Sequence, residues 1–206
     1  MTVNHFSNIF LSGRVNKVDY RGKISYLVKI GMKKQLVQLI SQEEIAVTVN
    51  RLAKELDRDY ENRSLLLVGI LKGSFIFLAD LVRKINTTIC NIEFISISSY
   101  GASTVTSGQA TIIMGLPKEK VMGQDVIVVE DIVDTGITTA TVLNYLKNYD
   151  PASLRLCTLL NKPARRQIPV TIDYLGFTVP DCFIVGYGID FNQEYRQLPA
   201  IYALEE

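Results

Sequence analysis

The stretch Val126-Ile-Val-Val-Glu-Asp-Ile-Val-Asp-Thr-Gly-Ile-Thr-Thr139 constrains this chain more than any other. It opens as a short, continuous apolar run, the pattern of a strand buried on both faces of a parallel sheet. Two adjacent acids, Glu130 and Asp131, follow, and Asp134-Thr-Gly-Ile-Thr then runs into a helix predicted over 138–147, with Val142, Leu143 and Leu146 on one face. A turn through Gly136 and Ile137 that opens a helix presents backbone amides without partners. Hydroxyls of Thr135, Thr138 and Thr139 add donors, so the segment suits a phosphate. Carboxylates beside such a cradle repel an anion unless they contact hydroxyls or a bound cation. Glu130 and Asp131 are accordingly matched to the two hydroxyls of a ribose. The plainer alternative is a capped helix with Asp134 among its capping residues, and the apolar strand and acid pair ahead of it count against that alternative.

The rest of the chain alternates in kind. Ser41-Gln-Glu-Glu44 is a capping box, and Ile45, Val49, Leu52 and Leu56 follow at helical spacing, predicting a helix over 42–57. Residues 64–71 form a second continuous apolar run, a buried strand, followed by a helix over 75–84. In 92–99, Ile95 and Ile97 alternate with Ser96 and Ser98, predicting a strand. The small, polar stretch 100–108 with its two glycines is either a mobile loop or a wide hairpin turn. Further strands are predicted over 154–160 and 183–185. Strands and helices alternating through short connections define an α/β fold around a parallel sheet. Ligands of such sheets bind beyond the carboxyl ends of the strands, which directs attention to the loops after 71, 129 and 160.

Length and composition bound the function. The 206 residues fit one ordinary domain, with 48% apolar and 21% charged residues, the proportions of a globular chain. A net charge of +1 argues against a protein that coats nucleic acid, which needs a clear basic excess. The charge is uneven: residues 1–40 hold seven Lys or Arg against Asp19 alone, a solvated face or an anion- or partner-binding edge. Cys90, Cys157 and Cys182 are odd in number and widely spaced, so they form neither a metal knuckle nor a disulfide framework, and a reducing compartment is expected. No apolar run reaches the ~18 residues of a membrane span, and the amino terminus is a poor signal peptide. A soluble, cytoplasmic protein without membrane or nucleic-acid partners is expected. His5 is the only histidine, which excludes a histidine-based triad or multi-histidine metal site within one chain.

Residues 126–139 resemble the phosphoribosyl pyrophosphate (PRPP) motif of the type I phosphoribosyltransferases. Other segments narrow the likeness to the hypoxanthine-guanine branch: Leu71-Lys72-Gly73-Ser74, Ser99-Tyr100-Gly101, Leu160-Asn-Lys162, and Asp181-Cys-Phe183-Ile184 through Asp190 to Arg196. The likeness runs from about residue 33 to 204 and implies a type I phosphoribosyltransferase-like fold: a central parallel sheet flanked by helices, with a small hood. Residues 33–206 would be one transferase domain, and 1–32 an amino-terminal extension of unknown role. The implied reaction is purine salvage, in which hypoxanthine or guanine plus PRPP gives IMP or GMP plus pyrophosphate, with Mg2+ as cofactor and a homodimer or homotetramer as the assembly.

Residue by residue, the resemblance makes Asp134 the proposed general base at N7 of the purine; stabilising positive charge in an oxocarbenium-like transition state is the other role open to it. Glu130, Asp131 and Asp134 to Thr139 would bind ribose and phosphate, and Leu71, Lys72, Gly73 and Arg196 pyrophosphate. Lys162 would donate to the oxygen at C6, Phe183 would stack on the base, and the Ile184 backbone would read the ring edge. Asp190 would lie at the purine site and ligate magnesium, with Glu130 and Asp131 reaching the metal through ribose hydroxyls. Ser99 and Tyr100 would begin a mobile loop. The family's peptide at the position of Leu71–Lys72 is cis, although nothing in the sequence demands it here. Ile137 departs from the polar or basic residue often found in that loop, which removes one side-chain contact to phosphate. Two rivals stand beside this reading: a xanthine-preferring or pyrimidine-handling relative, and a regulator that keeps the fold to sense nucleotides and bind nucleic acid. The presence of Asp134, Lys162 and Asp190 and the lack of a helix-turn-helix in residues 1–40 weigh against the regulator.

Overall fold

The computed structural model describes residues 14–18, 24–28, 35–99 and 110–205. In chain order its elements are β1 (Arg14–Val18), β2 (Ile24–Val28), β3 (Gln35–Ile40), α1 (Gln42–Asp59), β4 (Ser64–Leu71), α2 (Phe75–Val82), β5 (Thr88–Ser99), β6 (Ala110–Met114), α3 (Lys118–Val121), β7 (Asp125–Val133), α4 (Ile137–Lys147), β8 (Ser153–Asn161), a 3-10 turn (Pro163–Arg165), β9 (Tyr174–Thr178), β10 (Ile184–Val185) and β11 (Ile201–Glu205). Six strands form the central sheet in the order β6-β5-β4-β7-β8-β9. Every pairing is parallel except that of β6 with β5.

The continuous apolar runs follow from burial on both sheet faces. Leu65, Leu67, Ile127 and Val129 join α1 and α2 in one core, while Leu66, Val68, Val126 and Val128 join α4 in the other. Alternate residues of one strand thereby enter opposite layers, as a pleated strand requires. The capping box is present at α1: Ser41 Oγ accepts from the Glu44 amide at 3.1 Å, and Glu44 Oε2 accepts from the Ser41 amide at 2.7 Å.

Several elements differ from those predicted, and α2, β5 and β6 show why. Helix α2 stops at Val82, because the amides of Lys84 and Ile85 both donate to the Leu81 carbonyl and close the last turn. Strand β5 starts at Thr88, where a register shift opposite Leu65 and Leu66 disturbs the alternation that would have marked it. Strand β6 is antiparallel and exposed, with Ala110 opposite Ser99. The segment 100–109 between them lies outside the described residues.

A second, three-stranded sheet, β10-β11-β3, forms the hood from segments near both ends of the chain. Strands β1 and β2 pair antiparallel. No helix among the described residues is long and apolar enough to cross a membrane.

Leu67 is fully buried in the α1/α2 core. Leu67→Ala is expected to cost about 2–5 kcal/mol in urea unfolding. Val47→Ala, at a side chain 71% exposed on α1, should stay within about 0.5 kcal/mol of wild type. Equal effects would contradict the assignment of the core.

Candidate active site

From β4 the chain crosses to β5 on one side and then returns to β7 on the other, so the strand order reverses between β4 and β7. Loops leaving two neighbouring strands in opposite directions open a crevice at their carboxyl ends, the usual ligand position in such sheets. Residues 71–74 form one wall. The Leu71–Lys72 peptide there is cis, as the resemblance implied. Gly73 lies against the Asp131 carboxylate so closely that a β-carbon would overlap it, and Gly188, at φ 99°, closes on the Gly73 carbonyl from the hood side. The absence of side chains at these two positions lets three segments meet.

The opposite wall is the loop into α4. The helix is capped by Gly136 in the left-handed region (φ 83°, ψ −8°), and no Gly136 side chain exists to satisfy its first amides. Asp134 is therefore not the cap, and the first-turn amides keep no intrahelical acceptor. Thr135 Oγ1 accepts from the Ile137 amide at 3.3 Å, within the loop itself. Thr139 is buried, while Ile137 and Thr138 are half-buried. A left-handed glycine followed by a helix start is a natural anion seat.

Asp134 and Lys162 meet across the ends of β7 and β8. Lys162 Nζ lies 2.8 Å from Asp134 Oδ2, and the Lys162 amide donates to the Val133 carbonyl at 3.0 Å. The Lys162 side chain is only 7% exposed. The other carboxylate oxygen, Asp134 Oδ1, is buried with no hydrogen-bond partner among the described residues. Phe183 is 49% exposed although large and apolar, and Phe191 braces it edge-to-face, centroids 5.2 Å apart. The Leu204 amide donates to the Phe183 carbonyl at 2.8 Å. Ile184, next along and opposite Ala203, therefore turns its N–H and C=O away from β11, toward the free edge of that sheet.

At the Lys72 end, Arg196 Nη2 lies 2.7 Å from Asp190 Oδ1, and Nη1 donates to the Gly188 carbonyl at 2.6 Å. Gln193 links the group: its amide donates to Asp190 Oδ2 at 2.8 Å, and its Oε1 accepts from Lys72 Nζ at 3.4 Å and Arg196 Nη2 at 3.3 Å. Asp190 thus sits in the Lys72–Arg196 cluster. Ser99 ends β5; Tyr100 lies outside the described residues.

Glu130 and Asp131 are both buried. Burial first, then the Asp131 charge and their mutual hydrogen bond, hold the Glu130 carboxyl well above the usual range. Burial also raises Asp131, opposed by its bond to Glu130, by backbone amides and by the Arg196 charge. Such a pair holds a proton more readily than isolated carboxyls do. Among the described residues no three His, Cys, Asp or Glu side chains converge as a metal cage.

The sequence reading missed Arg166, Asn161 and Gln193. Arg166 binds the carbonyls of Val133 and Asp134 and the side chain of Asn161. Its only sequence signal was a basic pair after a proline. Gln193 adopts a left-handed backbone (φ 67°), which glutamine does not advertise.

A parallel sheet with this crevice, an anion seat after β7 and a hood carrying an exposed aromatic define a phosphoribosyltransferase. Residues 37–192 match the phosphoribosyl transferase domain family. A hypoxanthine phosphoribosyltransferase of Buchnera aphidicola is 42% identical over 172 residues, 82% of this chain and 96% of the relative. A hypoxanthine-guanine phosphoribosyltransferase of Dictyostelium discoideum is 43% identical over 171 residues, 82% of this chain and 94% of the relative. The crystal structure of a hypoxanthine-guanine phosphoribosyltransferase from Bacillus anthracis superposes with a TM-score of 0.76 at 43% identity, covering 81% of this chain and 97% of that one. The chain belongs to the hypoxanthine-guanine phosphoribosyltransferases.

The raised carboxyls carry a pH signature. Because the native acid pair binds more protons than the unfolded chain, its contribution is fully present below the ordinary values of 3.8 and 4.5 and is lost as pH climbs through the raised ones. Glu130→Gln removes part of that loss. The urea midpoint of the variant, relative to wild type, should rise as pH climbs above the ordinary carboxyl value of 4.5; a constant difference would contradict the protonated pair.

Proposed function

We propose that this chain catalyses purine salvage, transferring the phosphoribosyl group of PRPP to hypoxanthine or guanine to give IMP or GMP and pyrophosphate. The observation that carries the substrate choice is the Lys162–Asp134 pair with its buried Asp134 Oδ1, which has no hydrogen-bond partner among the described residues. A 6-oxopurine presents an acceptor, O6, beside a nitrogen, N7, that bears a proton in one tautomer. Lys162 supplies donors only, and a carboxylate oxygen accepts. The pair therefore complements O6 and N7–H side by side. Adenine would set its 6-amino donor against the ammonium donor, a mismatch that a polar site rejects strongly. Phe183 supplies a stacking face, and Ile184 offers main-chain groups to the far ring edge.

The sugar end follows the same logic. Amides of Gly136 to Thr139 suit the 5′-phosphate, and Glu130 and Asp131 suit the ribose hydroxyls. Leu71, Lys72, Gly73 and Arg196 line the pyrophosphate side, where a guanidinium fork and an ammonium match phosphoryl oxygens. As N9 bonds to C1′, the bond from C1′ to the pyrophosphate oxygen breaks and positive charge builds on ribosyl and purine rings, as in glycosyl transfer. Asp134 stabilises that charge, and its Oδ1 takes the N7 proton, leaving a neutral nucleotide base.

The donor set also fits magnesium, which is commonly held by one or two carboxylates together with phosphate oxygens and water. Asp190 would hold it, with Glu130 and Asp131 reaching it through ribose hydroxyls, and when bound it offsets the charge of the departing pyrophosphate. We assign the transferase to residues 33–206 and treat 1–32 as an extension. A cytoplasmic homodimer or homotetramer is the setting the family resemblance supports.

Steady-state assays with PRPP, magnesium and each of hypoxanthine, guanine, xanthine and adenine test the reading. Turnover of hypoxanthine or guanine but not adenine is expected, with Asp134→Asn lowering kcat by about 10²- to 10⁴-fold. Absence of turnover with every base would overturn it.

A further inference from the structure

Arg166 lies four residues beyond Lys162, past the 3-10 turn, and directs its guanidinium at the protein chain. Nε donates to the Asp134 carbonyl at 2.9 Å, and Nη2 donates to the Val133 carbonyl at 2.9 Å and to Asn161 Oδ1 at 2.6 Å. These three acceptors flank both members of the Lys162–Asp134 pair: Val133 and Asp134 on the chain leaving β7, and Asn161 immediately before Lys162 at the end of β8. The same two segments are joined by main-chain bonds from Lys162 to Val133 and from Gln167 and Ile168 to Thr135. Gly136 packs against the Arg166 stem and the Ile168 carbonyl with no room for a β-carbon.

We infer that Arg166 is a positioning residue for the transfer step, setting the separation of the Asp134 carboxylate from the Lys162 ammonium and thereby their fit to the O6–N7 edge of the base. The inference rests on the proposed reaction. The guanidinium is suited to this task because its planar fork serves two successive carbonyls and a side-chain amide at once, whereas an ammonium is a point charge without that spread. Without the fork, the two loops keep their main-chain stitches but lose the constraint on the two groups that face the base. A misplacement of about 1 Å at a reacting centre can cost on the order of 100-fold in rate.

Arg166→Ala and Arg166→Lys, assayed beside wild type with hypoxanthine and with adenine, separate this role from a merely structural one. In folded Arg166→Ala, kcat for hypoxanthine should fall roughly 10- to 100-fold and discrimination against adenine should weaken, while the KM for PRPP stays within about 3-fold. Arg166→Lys, which retains charge and bulk, should share the kcat defect. Added guanidinium ion at low millimolar concentration should restore part of the activity of Arg166→Ala, and methylammonium should not. Wild-type-like kcat and selectivity in Arg166→Lys, or a loss confined to the KM for PRPP, would overturn the inference. An inactive wild type would overturn it together with the transferase reading, whereas an active wild type with undiminished variants would overturn the inference alone.

Discussion

Parallel pairing of β4 with β7, and of β7 with β8, ends three strands at one edge of the sheet, and the whole site follows from that arrangement. The runs 65–68, 126–129 and 156–160 are buried, so their positions are set by the two apolar layers and their loops inherit a rigid base. One loop brings the Leu71–Lys72 peptide, the next brings Asp134 and the α4 amides, and the third brings Lys162. Hydrophobic burial here acts indirectly on the chemistry: it holds Asp134 and Lys162 at hydrogen-bond distance and sets Gly73 against the Asp131 carboxylate. The hood completes the enclosure by setting Gly188 against Gly73 and presenting Phe183.

A cleft suited to anions here tolerates four carboxyl groups. Asp134 is paired with Lys162, and Asp190 with Arg196. Among the described residues Glu130 and Asp131 have no dedicated cation at contact distance, and burial favours sharing a proton between them. Breaking a buried ion pair by removing one partner is expensive because it strands the other charge. A ligand that offers O6 to Lys162 and N7–H to Asp134 replaces one set of partners with another and strands neither. In the proposed complex, a base without that donor–acceptor pattern would leave a charge uncompensated, and discrimination would follow from the protein's own electrostatics.

Much of this was legible in the chain because the signals were local. The capping box at Ser41, the apolar runs of β4 and β7 and the glycine turn before α4 each declare their conformation over a few residues. Lys162 and Phe183 were legible only through family likeness, since a lysine after a strand and a phenylalanine in an apolar run are ordinary. What escaped depended on distant partners. Strand β6 is mostly apolar but lacks alternation, with Ile113 and Met114 exposed at the sheet edge, and the early start of β5 was hidden by a register shift. Arg166 acquires meaning only when the loops after β7 and β8 are placed together, and Gln193 only when its left-handed backbone turns it between Lys72 and Arg196.

In the proposed complex, Asp134 Oδ1 accepts a proton-bearing N7 while Lys162 holds O6. Two near-isosteric, unreactive analogues isolate the N7 contact: 9-deazahypoxanthine keeps N7–H, and 7-deazahypoxanthine places a carbon there, both retaining O6. Their dissociation constants, measured by calorimetry in the presence of PRPP and magnesium, test the contact without turnover. A hydrogen bond to a charged group is worth about 1.5–3 kcal/mol, so the 9-deaza analogue should bind roughly 10- to 100-fold more tightly. Equal affinity for the two would contradict the account.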